Sequence, residues 1–262
     1  MKQTIAPAEG ESPDLFSWRG LVGAAVGFAA ANLFCSIATT LGNFASAVML
    51  TPLEYGSVQT AFLLINYLWM LSLGVLQGFT QEYPMQLGAG RTEESNALAR
   101  GAHSFMRLAA MAGMGCGVLQ IVIFGWRGGS PLLLFAAAAH VVVVGAEFMN
   151  GIHVGTLTGR QKFAVLARAK VVMGVLTLVM LLTVYLWRGV GQGLRFAAAS
   201  LGYWLMVRAA SREVLGGRLD WRAIAGLMRK GAPILICSYM IGVLMVADRT
   251  AVAIGLGAEA VG

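Results

Sequence analysis

Charge is what this sequence has least of. Asp, Glu, Lys and Arg make up only 12% of its 262 residues, against about 25% in soluble domains, which excludes an ordinary soluble enzyme. Cysteine is as sparse. Cys35, Cys116 and Cys237 all fall in apolar runs with no CxxC pair, and they read as buried small residues, silent about redox compartment. No GxxxxGK stretch occurs, so no ATP-driven pump is expected within the chain. HExxH, GxSxG and DxD-type clusters are also missing, which weakens protease, hydrolase and glycosyltransferase readings. His103, His140 and His153 lack ligand spacing. No catalytic residue, metal or cofactor is therefore expected, and the chain does not read as an enzyme.

Long apolar runs take the place of charge. Hydrophobic residues make up 58% of the chain. A helix needs about 20 apolar residues to cross a hydrocarbon core of about 30 Å. Gly20 to Leu50 carries no charge at all, too long a run for a cleaved signal peptide. Apolar runs between charged loops predict seven transmembrane helices, at about 20–48, 57–80, 104–125, 131–157, 167–187, 194–210 and 231–256. The polar segment 1–18, with Pro7 and Pro13, reads as disordered. Thr51 to Gly56 reads as a turn punctuated by Pro and Gly. The sixth helix is short in sequence, with Arg195 and Arg208 at its ends, and spans if both arginines snorkel to the interfaces.

Basic residues support that count. With seven spans, fifteen fall on one side: Lys2, Arg19, Arg91, Arg100, Arg107, Arg160, Lys162, Arg168, Lys170, Arg208, Arg212, Arg218, Arg222, Arg229 and Lys230. Three fall on the other: Arg127, Arg188 and Arg195. The positive-inside rule then places the N-terminus in the cytoplasm. It also explains the pI of 9.7 without nucleic acid. Leu50-TPLEY-Gly56 after helix 1 and Leu256-GAEAV-Gly262 after helix 7 hint at an internal repeat. On that reading residues 19–228 form a first six-helix bundle and 229–262 the first helix of a second.

The turn LTPLEYG, the loop LGAGRTEES and the run GAPILI…ADRTAVAIGLGAEAVG resemble polysaccharide flippases of the multidrug/oligosaccharidyl-lipid/polysaccharide exporter superfamily. The resemblance implies two six-helix bundles in a V around a central, partly cationic cavity. It implies export of a lipid-linked oligosaccharide across the bacterial cytoplasmic (inner) membrane by alternating access, in polysaccharide biosynthesis. The implied partners are the glycan-lipid, the bilayer, and a polysaccharide polymerase or glycosyltransferase. The alternatives are a cation-coupled multidrug exporter and a non-transporting membrane subunit that binds a glycosyltransferase through its basic loops.

Four residues are candidates for the cavity. Glu147 sits near the middle of helix 4, where an acid costs roughly 2.5–3.5 kcal/mol. It reads either as a proton, cation or sugar-hydroxyl site, or as a protonated acid bonded to a neighbouring helix. His140 lies seven residues earlier, on nearly the same face, and reads as its companion or as a packed neutral ring. Asp248 and Arg249 interrupt helix 7. Arg249 is the one cation placed within a helix, expected to meet an anionic head group or to snorkel. Asp248 is expected to have a donor among Arg127, Arg188, Arg195 and Asn43, or beyond Gly262. Arg107, Arg168 and Lys170, at cytoplasmic helix ends, are placed to capture a diphosphate or simply to set topology.

Overall fold

A computed structural model describes residues 18–212, 217 and 219–261. The expected disordered segment lies outside them except for Trp18, as does Arg218. The described elements are helices: α1 (Trp18–Met49), α2 (Pro52–Phe62), α3 (Leu64–Leu68), α4 (Val75–Gly88), α5 (Thr92–Trp126), α6 (Pro131–Gly159), α7 (Phe163–Val179), α8 (Leu181–Ala210), α9 (Trp221–Gly255) and α10 (Ala258–Val261). α1, α5, α6 and α9 are each long and apolar enough to cross a bilayer. The pairs α2–α4 and α7–α8, bent by 54° and 69°, raise the number to six if each is one span.

The second pair divides further. α8 reverses at Arg188, whose φ of 55° and ψ of −129° are not helical. After the reversal the Thr183 hydroxyl donates to the Gly191 carbonyl at 3.0 Å. The Lys170 ammonium sits 4.6 Å from the centre of the Tyr203 ring. These pairings run antiparallel, so 163–210 is a hairpin with arms 163–187 and 189–210. The second arm is about 33 Å long at 1.5 Å per residue. It starts at 189 rather than 194. Gly189, Gly191 and Gly193 read as loop in sequence, yet they are buried, Gly191 against Thr183 of the first arm and the other two against Leu132 and Phe135 of α6. The chain thus packs as seven rods in the expected order.

Contacts at the two ends confirm the alternation. At one end Arg188 pairs with Glu54 at 3.3 Å, and α10 packs on α2. At the other, Arg160 donates to the Tyr83 hydroxyl and to Asn96 Oδ1, both at 2.7 Å. There too Ser104 donates to the Gly217 carbonyl at 2.9 Å, and Lys230 pairs with Glu82. The turns near 90, 160 and 211 share this second end, hereafter the basic end.

Several boundaries move. Thr51 to Gly56 is a helix start, not a turn. Thr51 caps α2 and Glu54 returns a bond to the Thr51 N–H at 2.9 Å, a capping box. The second span is broken where Leu73 and Gly74 take φ of 47° and 82°. The polar loop before the third span is its first turns, with Glu93 and Glu94 at the helix N-terminus, where acids are favoured. α9 begins at Trp221, capped by Asp220, so the expected division at 228/229 falls inside one helix. Cys35 is buried as expected, but Cys116 and Cys237 face outward.

The burial pattern is inverted relative to a soluble domain. Phe44 is 70% exposed and Leu244 74%, whereas Arg195 is 1% and Gln192 0%. Lipid tails are as apolar as leucine and give helices no hydrophobic reason to associate, so close packing at small residues does that work. Gly151, Gly155 and Gly159 of α6 lie against Leu76, Phe79 and Tyr83 of α4. Gly113 and Gly117 of α5 receive Val144 and Val141 of α6. α9 crosses α4 glycine on glycine, and a Cβ at Gly231 would lie 2.4 Å from the Gly78 nitrogen.

Two outcomes follow from this packing. Gly231→Ala lowers unfolding stability in detergent by about 1–3 kcal/mol, the usual cost of overpacking. Gly23→Ala, which meets nothing within 4 Å, leaves stability unchanged or raises it by up to about 1 kcal/mol through helix propensity. In vesicles of known sidedness, single cysteines at Leu53, Arg127 and Arg188 react with an impermeant thiol reagent from one side. Those at Arg91, Lys162 and Arg212 react from the other. Labelling of Arg188 and Arg212 from one side would remove the last arm as a traverse.

Candidate functional site

The face of α8 that turns into the bundle carries Gln192, Arg195, Ala199 and Tyr203, spaced three, four and four residues apart and all buried. Beside them Ser200 is buried as well. This spacing keeps them on one side of a helix, and three neighbouring helices answer them in turn. Near the end opposite the basic one, Arg195 donates to Asn43 Oδ1 of α1 at 2.6 Å and to Gln192 Oε1 at 3.1 Å. Its guanidinium lies 5.0 Å from the Phe196 ring. Midway, Ser200 donates to Glu147 of α6 at 2.9 Å, and Asn150 reaches the same oxygen at 3.5 Å. Further on, Lys170 of α7 lies over Tyr203. The result is a polar ladder about 16 Å long at 1.5 Å per residue.

α1 can come this close because its buried stripe is small: Ala31, Cys35, Ala38, Gly42 and Ser46. Gly42 makes the room for the guanidinium, and a Cβ there would strike Nη1 of Arg195. Arg195 meets no acid among the described residues, and its Nη1 has no hydrogen-bond partner. A buried cation held only by neutral acceptors is costly in a membrane, and such groups are retained for function or strict packing.

The expected site residues distribute as follows. Glu147 is in the ladder. His140 is not beside it. Its Nδ1 lies 3.3 Å from Gln120 Oε1 of α5, and its ring packs against Phe62 of α2. Gln120 in turn donates to the Ala61 carbonyl, so His140 belongs to a packing cluster. Asp248 and Arg249 are exposed on α9. The Asp248 carboxylate accepts from the Arg249 N–H at 2.7 Å, and of its expected donors Arg127, Arg188, Arg195 and Asn43 do not reach it. Arg188 is engaged by Glu54 and Arg195 by Asn43. Lys170 joins the ladder, Arg168 lines a groove between α1 and α7, and Arg107 lines a cleft between α5, α6 and α8. The three expected head-group cations are therefore not gathered in one place.

Arg195 is the residue that sequence reasoning misplaced. It stood as an interface anchor, and Arg249 as the one intramembrane cation. The Gln192–Arg195–Ala199–Tyr203 spacing was the available signal, but it starts inside a glycine-rich stretch that looks like loop. A second polar spot was missed. The broken second span and α9 enclose 240 Å³ lined by Asn66, Gln77, Ser238 and Tyr239. Polar residues flanking Gly74 in an apolar segment were its signal. No group of three His, Cys, Asp or Glu fit to hold a metal occurs among the described residues.

No family model and no curated protein matches this chain. A solved structure is similar, that of a MOP superfamily transporter from Pyrococcus furiosus, with a TM-score of 0.67 and 16% sequence identity. The similarity covers 91% of this chain and 57% of that one. This chain thus shares its fold with a little more than half of that protein. It is an all-helical bundle with four to six candidate membrane spans, in keeping with the apolar runs of the sequence.

Asn43→Ala deprives Arg195 of its 2.6 Å acceptor. The variant loses about 1.5–3 kcal/mol of stability, the range for hydrogen bonds to charged groups. The midpoint of thermal unfolding in detergent is the measurement.

Proposed function

We propose that this chain is part of a membrane transporter that moves a lipid-linked oligosaccharide by alternating access, with the N-terminus in the cytoplasm. The fold supports the transporter class. The observation that carries the substrate class is Arg195, a buried cation without an acid. Together with Lys170, which has no acidic partner among the described residues, it makes the ladder net cationic against the one acid, Glu147. An interior of that sign favours an anionic head group such as a diphosphate. The hydroxyl and amide groups of Ser200, Asn150, Asn43 and Gln192 suit a sugar. The bundle moves as one wall of the transporter, and the glycine crossing between α4 and α9 is its bearing. Glycan-synthesis enzymes remain the proposed partners at the basic end.

A second reading rests on Glu147. Its carboxylate is held by two neutral donors rather than a cation, an arrangement that also suits a cation-coupled multidrug exporter.

The two readings separate in cells carrying the intact gene. Arg195→Gln lowers glycan export by about tenfold or more, the worth of one charge-assisted hydrogen bond. Lipid-linked precursor accumulates while the protein remains in the membrane. Arg195→Lys retains part of the export because a point charge still attracts phosphate. Unchanged export in Arg195→Gln, with loss in Glu147→Gln, selects the cation-coupled exporter instead.

A further inference from the structure

α5 and α8 both pack on α6 but leave a strip of it uncovered near the basic end. The strip's floor is Gly145 and Ala146, which carry almost no side chain, and the groove above them has a volume of 620 Å³. Its two ends differ in chemistry. At the mouth stand Arg107 of α5 and Arg208 of α8, both exposed. The Arg208 guanidinium lies 4.8 Å from the Trp204 ring. Toward the membrane centre the walls become Met111, Met114 and Leu201. Thioether side chains adapt to irregular apolar ligands. Among the described residues, no Asp or Glu lines the groove.

Behind the arginines lie His103 and His153, 4% and 1% exposed, with ring centroids 5.5 Å apart. His153 Nδ1 lies 2.8 Å from Ser211 Oγ, whose hydroxyl is also 2.7 Å from the Val207 carbonyl. The hydroxyl therefore donates to the carbonyl and accepts from the ring. Among the described residues, His153 Nε2, both ring nitrogens of His103 and the Trp204 Nε1 have no partner. The indole N–H is a donor only. A buried donor without an acceptor is costly, and the Trp204 N–H, beside the Arg208 guanidinium, is a donor that an anion's oxygen would satisfy.

A cationic mouth at head-group depth that leads into an apolar channel at acyl-chain depth matches one kind of molecule. We propose that this groove binds an anionic phospholipid of the surrounding bilayer. Its phosphate lies between Arg107 and Arg208, and one acyl chain runs over Gly145 and Ala146. Basic pockets between transmembrane helices on the cytoplasmic side recognise anionic head groups in this way. The assignment stands on the groove alone and does not depend on what is transported.

The test uses the full chain in phosphatidylcholine vesicles, with phosphatidylglycerol carrying brominated acyl chains as the probe. Bromine quenches tryptophan on contact, and the share lost in Trp204→Phe isolates Trp204. That share is expected to saturate at a few mole per cent of brominated phosphatidylglycerol, and not with brominated phosphatidylcholine at the same fraction. Arg107→Gln and Arg208→Gln, both at exposed positions, each raise the half-saturating fraction about fivefold, and together about 25-fold. Gly145→Val keeps every charge but narrows the channel. Its Cβ would lie 2.9 Å from the flexible Met114 sulfur, and it weakens quenching as well. Equal quenching by both lipids, or no effect of the double arginine variant, overturns the proposal. Displacement of phosphatidylglycerol by a trace of polyprenyl diphosphate also overturns it, because the groove then belongs to a substrate lipid.

Discussion

Helix backbones touching at small residues are the contact on which the rest of this structure depends. In a bilayer, leucine gains nothing by leaving lipid for protein, so apolar surface cannot gather the rods. The gathering falls to places where a missing side chain lets one backbone lie against another. α6 uses both of its sides for this. Its own glycines admit Leu76, Phe79 and Tyr83 of α4, and its valines fill the gaps at Gly113 and Gly117 of α5. Gly231 of α9 rests on Gly74 and Gly78, the place where the second span is broken. The break and the crossing belong together. Gly74, at φ 82°, sits where a helix with side chains would hold α9 away.

Close approach also decides where polar groups can be kept. With no water available, a cation or an amide inside the bundle must find its partner on another helix within hydrogen-bond reach. Gly42 shows the link. It opens α1 just where Arg195 must reach Asn43 one residue further on. A larger residue at 42 would take the space that the Arg195 guanidinium needs to reach that acceptor. The lipid-facing side has the opposite composition, with Phe44, Val48 and Leu41 of the same helix exposed. One helix thus carries an inner stripe of small residues and an outer one of large apolar residues, the reverse of the arrangement in water.

Much of this was legible in the sequence. Uniform apolar runs mark membrane helices whatever their packing, so the order and number of rods followed from composition and from the alternation of basic loops. The likeness of the segments around Leu50 and Leu256 extends to where their helices break. α1 ends at Met49 and α2 starts at Pro52, and α9 ends at Gly255 and α10 starts at Ala258, so both breaks occur at the same place in the two segments. Depth and direction were harder. Arg195 and Arg249 look alike in sequence, each an arginine in or beside an apolar run. Only the packing partners make one buried and the other exposed. His140 and Glu147 share a face of α6, but seven residues separate them by about 10 Å, enough for one to meet α5 and the other α8. Glycine misled twice, each time by reading as a break where the structure has helix. It read as loop at 189–193, where it is a helix contact, and as a turn at Gly56, which lies inside α2.

The two polar regions of the bundle lie on opposite sides of one helix. At 100° per residue, Gln192, Arg195, Ala199 and Tyr203 cluster within about 80° of each other, and Leu201, Trp204 and Arg208 centre roughly 150–180° away. The interior ladder and the groove at the basic end are therefore about one helix diameter apart, near 10 Å. No loop intervenes between them, because residues 189–210 form one uninterrupted arm after the kink at Arg188. The kink at Arg188, tied to Glu54 at the opposite end, leaves that arm one anchored end. The basic end, where Ser211 closes the helix on Val207 and His153, is the other. The groove and the ladder are thus two faces of one continuous helix, held at both of its ends.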